Sequence, residues 1–79
     1  MDIKVLGMGC DKCDALYAAT LRAVEASGAK AAVTKVEDLI EIVSLGVMTA
    51  PALMIDGTVV FAGRVPSEKA IIREVKKRM

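Results

Sequence analysis

The chain has two cysteines, Cys10 and Cys13, in the stretch Gly7-Met8-Gly9-Cys10-Asp11-Lys12-Cys13-Asp14. Thiols at this spacing suit a reversible bond, because α-helical positions three apart have Cα atoms roughly 5 Å from each other, within disulfide range. Such a bond would be a poor staple: closing a loop of about four residues is worth roughly 2 kcal/mol, against about 4–5 for a long loop. The chemistry that fits is a dithiol/disulfide centre. Only a thiolate attacks, so the roles follow from charge. With a helix starting near Cys10, that sulfur meets the unsatisfied N–H groups and the positive end of the macrodipole. The gain of roughly 0.3–1 kcal/mol corresponds to about 0.2–0.7 pK unit. Lys12 adds to it, while Asp11 and Asp14 oppose it. Cys10 is therefore the expected nucleophile, moderately acidified, and Cys13, one turn inside the helix and more buried, the resolving thiol.

These residues must be held by a strand before them and a helix after. Ile3, Val5 and Leu6 around Lys4 read as a strand over residues 2 to 6. Gly7 and Gly9 end it and leave a loop whose backbone can approach another chain. From about Cys10 to Ser27 an apolar band at helical spacing follows, with Leu16, Ala19, Thr20 and Ala23 beside Tyr17, Leu21 and Val24, and Gly28 is the expected stop. A strand over about residues 30 to 35 follows, reached from the first strand by a parallel crossover, and after it a helix opens with Glu37 and Asp38. That helix buries Leu39, Ile40, Ile42 and Val43 until Gly46. Pro51 forces Ala50 into an extended conformation. Two apolar runs, residues 52 to 55 and 59 to 62, flank Asp56-Gly57 as a hairpin. Ser67 is the N-cap of a last helix whose stripe is Ala70, Ile71, Ile72 and Val75. The expected architecture is α/β in the order β-α-β-α-β-β-α, a four-stranded mixed sheet with helices on both faces.

Composition narrows the functional classes. At 79 residues there is room for one small domain, residues 1 to 79, near the lower size at which a core alone suffices. Net charge is +1 with acids and bases interspersed, which gives no electrostatic case for nucleic acid or an anionic membrane. Lys76-Lys77-Arg78 ends a helix, where cations suit the dipole. Without histidine there is no His-based acid/base or Ser-His catalysis. No export segment or long apolar run is present, so a cytoplasmic location is expected, where a lone Cys pair is more often catalytic or metal-binding than structural. The absence of Asn and Gln is a faint thermophilic sign.

In its motifs the chain resembles the thioredoxin superfamily, in particular small glutaredoxin-like redox-active disulfide proteins of archaea and bacteria. The likeness rests on Cys10-x-x-Cys13 after the first strand, Thr49-Ala50-Pro51 before the third, Asp56-Gly57 in the hairpin, and Gly63 and Ser67 before the last helix. It implies a cis Pro51 facing the dithiol and an Ala50 backbone free to hydrogen-bond an extended substrate. It also implies protein disulfides as substrates and a thioredoxin-reductase-like flavoprotein or other dithiol as electron donor, with no cofactor beyond a Cys10–Cys13 disulfide. Three positions depart from the pattern. The inter-cysteine pair is Asp11-Lys12, Lys4 stands where thioredoxins bury a carboxylate, and Gly63-Arg64-Val65-Pro66-Ser67-Glu68 replaces the glutathione-holding Gly-Gly and acidic pair.

The same loop also resembles the Gly-Met-x-Cys-x-x-Cys of heavy-metal-associated domains, in which two thiolates hold Cu(I). That family has the order β-α-β-β-α-β. Soft-metal carriage through Cys10 and Cys13 thus stays as the alternative, with a purely structural or interaction role beside it. The leading expectation is a monomeric thiol–disulfide oxidoreductase that uses no metal. Its shallow contact surface comprises Met8, Gly9, Asp11, Lys12, Thr49, Ala50 and Pro51.

Overall fold

The computed structural model describes residues 1–7 and 11–79. Its elements are β1 (Asp2–Leu6), α1 (Asp11–Ser27), β2 (Ala32–Val36), α2 (Leu39–Ser44), β3 (Ala52–Ile55), β4 (Thr58–Ala62) and α3 (Glu68–Lys77). The strands form one mixed sheet in the order β2-β1-β3-β4, with β1 parallel to β2 and antiparallel to β3. The β-α-β-α-β-β-α order is as expected, and the closing helix sets it apart from the heavy-metal-associated order.

Strand alternation divides the core between two faces. On one, Ile3, Val5, Leu53 and Ile55 are fully buried against Leu16, Ala19 and Ala23 of α1 and Ile71 and Val75 of α3. Thr20 lies on the same stripe of α1 without an unmet donor, because its hydroxyl donates to the Leu16 carbonyl at 2.7 Å. A bulge in β4, where Leu53 pairs with Phe61 but Met54 with Val59, lets the consecutive Val60 and Phe61 both pack on this cluster. On the other face, Leu6, Ala52 and Met54 meet Val36, Ile42 and Val47.

That second cover is short. Six residues of α2 span about 9 Å, so the helix caps only one end of its face. Lys4 and Val59, the two register partners of Met54, are left half-buried and exposed respectively. Here the structure corrects the sequence reading: of the four apolar residues expected to be buried by α2, only Ile42 is. Leu39 is 55% exposed, Ile40 79% and Val43 54%. Positions 39, 40, 42 and 43 spread around too much of the helix for one contact stripe. Leu21, likewise off the stripe of α1, is exposed. Strand β2 begins later than expected, at Ala32, in register with Asp2.

Local signals set the ends of elements. Asp38 caps α2 by accepting from Ile40 N at 3.0 Å, and Ser67 caps α3 by accepting from Ala70 N at 3.2 Å. Asp56 and Gly57 both have positive φ, as a two-residue type I′ hairpin requires. Asp56 also ties the hairpin to β1, its Oδ1 accepting from Asp2 N at 2.8 Å.

The unequal cover makes a paired expectation. Replacing the fully buried Ile71 by Ala lowers unfolding free energy by about 2–5 kcal/mol, whereas Ile40→Ala changes it by only about 0.5 kcal/mol or less. Urea denaturation of the two variants checks this.

Candidate functional site

Where β1 ends, the backbone keeps its sheet pairing for one more residue: Gly7 N donates to the Val36 carbonyl at 3.0 Å. Gly7 is buried, and its missing side chain is what lets the first turn of α1 settle above it. A Cβ on Gly7 would overlap Cys13 Sγ, lie 3.0 Å from Cys13 Cβ and stand 3.8 Å from Pro51 Cα. The strand end, the first turn of α1 and residue 51 thus converge on one point. At Gly7 the close approach is made within the chain, to Cys13. Cys13 is fully buried there.

Pro51 is fixed from its other side. The Ala50–Pro51 peptide is cis, Pro51 is buried, and its carbonyl accepts from Gly63 N at 2.8 Å. Ala52, the next residue, already pairs with Leu6. Gly63 has φ +79°, and a Cβ there would stand 2.8 Å from Thr49 Cγ2, so the turn after β4 also presses on the Thr49-Ala50-Pro51 loop. Only glycine meets both demands.

Beside this junction runs an open groove of about 240 Å³, lined by Cys13, Ile42, Val47, Thr49 and Ala50 together with Leu39, Val43 and Met48. Among the described residues, those lining the groove carry no charge. The volume is below the roughly 300–1,000 Å³ of small-molecule sites, and an apolar side chain or two from a macromolecule would fill it.

The charged groups nearby lie on the outer side of α1. Lys35 Nζ donates to the Asp14 carboxylate, lies 3.5 Å from Glu37 Oε1 and sits 5.8 Å from the centre of the Tyr17 ring. The hydrogen bond to Asp14, with the attraction of Asp14 and Glu37, holds the Lys35 ammonium above its ordinary pKa although partial burial opposes this. A lysine shifted upward contributes its stability fully below the unfolded value and loses it only as pH rises through the higher folded value. Lys35 therefore stays charged throughout the neutral range.

The expected site residues divide as follows. Met8, Gly9 and Cys10 lie outside the described residues. Cys13 and Pro51 are brought together, Thr49 and Ala50 flank them on the exposed side, and Asp11 and Lys12 are exposed at the start of α1. The sequence reading missed Gly7 as the floor under Cys13, Lys35 as the partner of Asp14, and the groove residues Val47 and Met48. A glycine that ends a strand just before the cysteine-bearing stretch is the signal in the sequence for the first, though it does not say which cysteine lies above it. Among the described residues, no helix is long and apolar enough to cross a membrane.

Gly7→Ala tests the junction. The added methyl meets a buried sulfur with nowhere to move, so the variant loses about 1–3 kcal/mol of stability, read by urea denaturation. A change of only a few tenths would contradict the packing described.

Comparison with known proteins places these features. A family model described as "Thioredoxin domain" matches residues 1–76. A protein named thioredoxin from Methanocaldococcus jannaschii is 38% identical over 74 residues, covering 94% of this chain and 85% of that protein. Another of the same name, from Methanothermobacter thermautotrophicus, is 32% identical over 71 residues, covering 90% of this chain and 92% of that protein.

Proposed function

The chain belongs to the thioredoxin family, whose chemistry is thiol–disulfide exchange, and on that premise we propose that Cys10 and Cys13 are its reacting pair. The observation that carries the reading is the position of Cys13. Its sulfur is buried against Gly7, beside Pro51, in the first turn of α1, three residues after the only other thiol in the chain. A sulfur so placed is shielded from external disulfides and suited to intramolecular attack.

In the forward direction the Cys10 thiolate attacks one sulfur of a substrate protein disulfide. A mixed disulfide forms and the first substrate sulfur leaves as a thiolate, taking a proton from solvent. The Cys13 thiolate then attacks Cys10 Sγ, and the second substrate sulfur leaves in the same way. The substrate disulfide gains two electrons and two protons, and the protein dithiol becomes the Cys10–Cys13 disulfide. A flavoprotein reductase of the thioredoxin-reductase type, or another dithiol, restores the reduced form.

Substrate is held at the exposed Thr49 and Ala50, where an extended segment can meet backbone groups next to the cis-proline. Met8, Gly9, Asp11 and Lys12, the sequence neighbours of Cys10, are further proposed substrate contacts. Asp14 is already engaged by Lys35, which leaves Asp11 as the acidic neighbour that opposes the Cys10 thiolate and Lys12 as the one that favours it.

The roles are separable by trapping. Incubated with a protein disulfide, Cys13→Ser accumulates a mixed disulfide at Cys10 and Cys10→Ser does not, as judged by non-reducing electrophoresis and peptide mass mapping. In the reduced wild type, Cys10 is alkylated by iodoacetamide at neutral pH at least about tenfold faster than Cys13, in keeping with thiolate fraction and access. Equal rates, or adducts at Cys13, would overturn the assignment.

A further inference from the structure

We infer that the exposed ridge of α2, formed by Leu39, Ile40 and Val43 and continued by Met48, is a docking surface for a protein segment that carries apolar side chains flanked by Lys or Arg. The inference rests on the redox reading above and adds to it a partner chemistry.

Four large apolar residues lie exposed together here, at 55% for Leu39, 79% for Ile40, 54% for Val43 and 89% for Met48. Helical positions three and four apart are surface neighbours, so Ile40 and Leu39 both border Val43. A contiguous apolar surface on a chain this small marks an interaction site. The ridge is also continuous with the reacting centre, because the groove that Leu39, Val43 and Met48 line reaches Cys13, Thr49 and Ala50. A segment lying along the ridge would carry a neighbouring cystine to the sulfurs.

Charge selects the partner. Between Lys35 and Arg64 the chain has no Lys or Arg, while Glu37, Asp38 and Glu41 cluster on and just before α2. The chain as a whole carries +1, so this shoulder is anionic against the overall balance. Lys35 of β2 offsets one charge but is shared between Asp14 and Glu37, and the half-buried Lys4, opposite Met54 on the same face, offsets one more, which leaves the three carboxylates in excess. An apolar segment with basic flanks is attracted to such a surface and an acidic one repelled.

The test uses single-turnover reduction of cyclic peptide disulfides by the reduced full-length protein. One peptide flanks its disulfide with Leu and Lys, a second with Leu and Glu, a third with Ser and Lys, and hydroxyethyl disulfide serves as a substrate with no flanks. The Leu/Lys peptide is expected to react about tenfold faster at low concentration than either of the others. Ile40→Ser should slow the Leu/Lys peptide by about fivefold or more while leaving hydroxyethyl disulfide and the melting temperature unchanged. Glu41→Lys should shrink the preference for Lys over Glu flanks. Equal rates for the three peptides, or an Ile40→Ser variant that slows hydroxyethyl disulfide as much as the peptide, would overturn the docking proposal while leaving the redox reading in place. Failure to reduce hydroxyethyl disulfide at all would overturn the redox reading and the docking proposal with it. Self-association in sedimentation experiments that Ile40→Ser abolishes would assign the ridge to a second copy of the chain and so also overturn it.

Discussion

One close contact organises this small protein: Gly7, the buried residue just beyond the first strand, lies directly under the sulfur of Cys13, with Pro51 at its side. Three segments far apart in sequence meet there, and each is there for a separate local reason. Gly7 still belongs to the sheet through its bond to Val36, α1 begins just beyond, and Pro51 is anchored through its carbonyl to Gly63. Interiors pack at crystal-like density, so a side chain at position 7 has no space without moving the helix or the proline loop. The site is thus an outcome of how tightly the end of β1, the helix and the turn are joined.

The rest of the architecture supports that junction unevenly. Helices α1 and α3 together cover one face of the sheet and supply most of its buried aliphatic residues. The opposite face receives a helix of six residues, enough to seal Leu6, Ala52 and Met54 with Ile42 and Val47, but too short to bury its own outer side chains. Of those outer side chains, Leu39 and Val43 line the groove that reaches Cys13. In a chain near the lower size for an independent core, apolar residues left outside on the reacting side have a use in recognition that they lack in stability. The anionic shoulder made by Glu37, Asp38 and Glu41 gives the same surface a sign.

Much of this was legible beforehand, and the reasons are local. Asp56-Gly57 between two apolar runs, Ser67 before a periodic stripe, and Gly28 after another are signals whose physics lies within a few residues, and the structure has the hairpin, the cap and the helix end where they indicate. The element order followed from them. Burial on α2 was misread because hydrophobicity alone does not say how much neighbouring surface exists to cover a side chain. The Lys35–Asp14 pair was invisible for a related reason: it joins residues 21 apart across the crossover, and no local pattern records that distance. Gly7 was seen as a breaker, correctly, but its partner is a sulfur six residues on that only the fold identifies. Of the expected reacting pair, Cys13 is buried as the sequence indicates, in the first turn of α1, and Cys10 lies outside the described residues.

The central claim is that the two thiols form one reversible couple. The most direct measurement is equilibration of the wild-type protein in buffers of oxidised and reduced dithiothreitol of graded ratio, followed by acid quench, alkylation and intact-mass analysis. A single transition is expected between a doubly alkylated and an unalkylated species, with no singly alkylated form, and a slope of about 30 mV per tenfold change, as a two-electron couple requires. A protein that remains doubly alkylated at every poise, or that passes through a singly alkylated species bearing a buffer adduct, would contradict it.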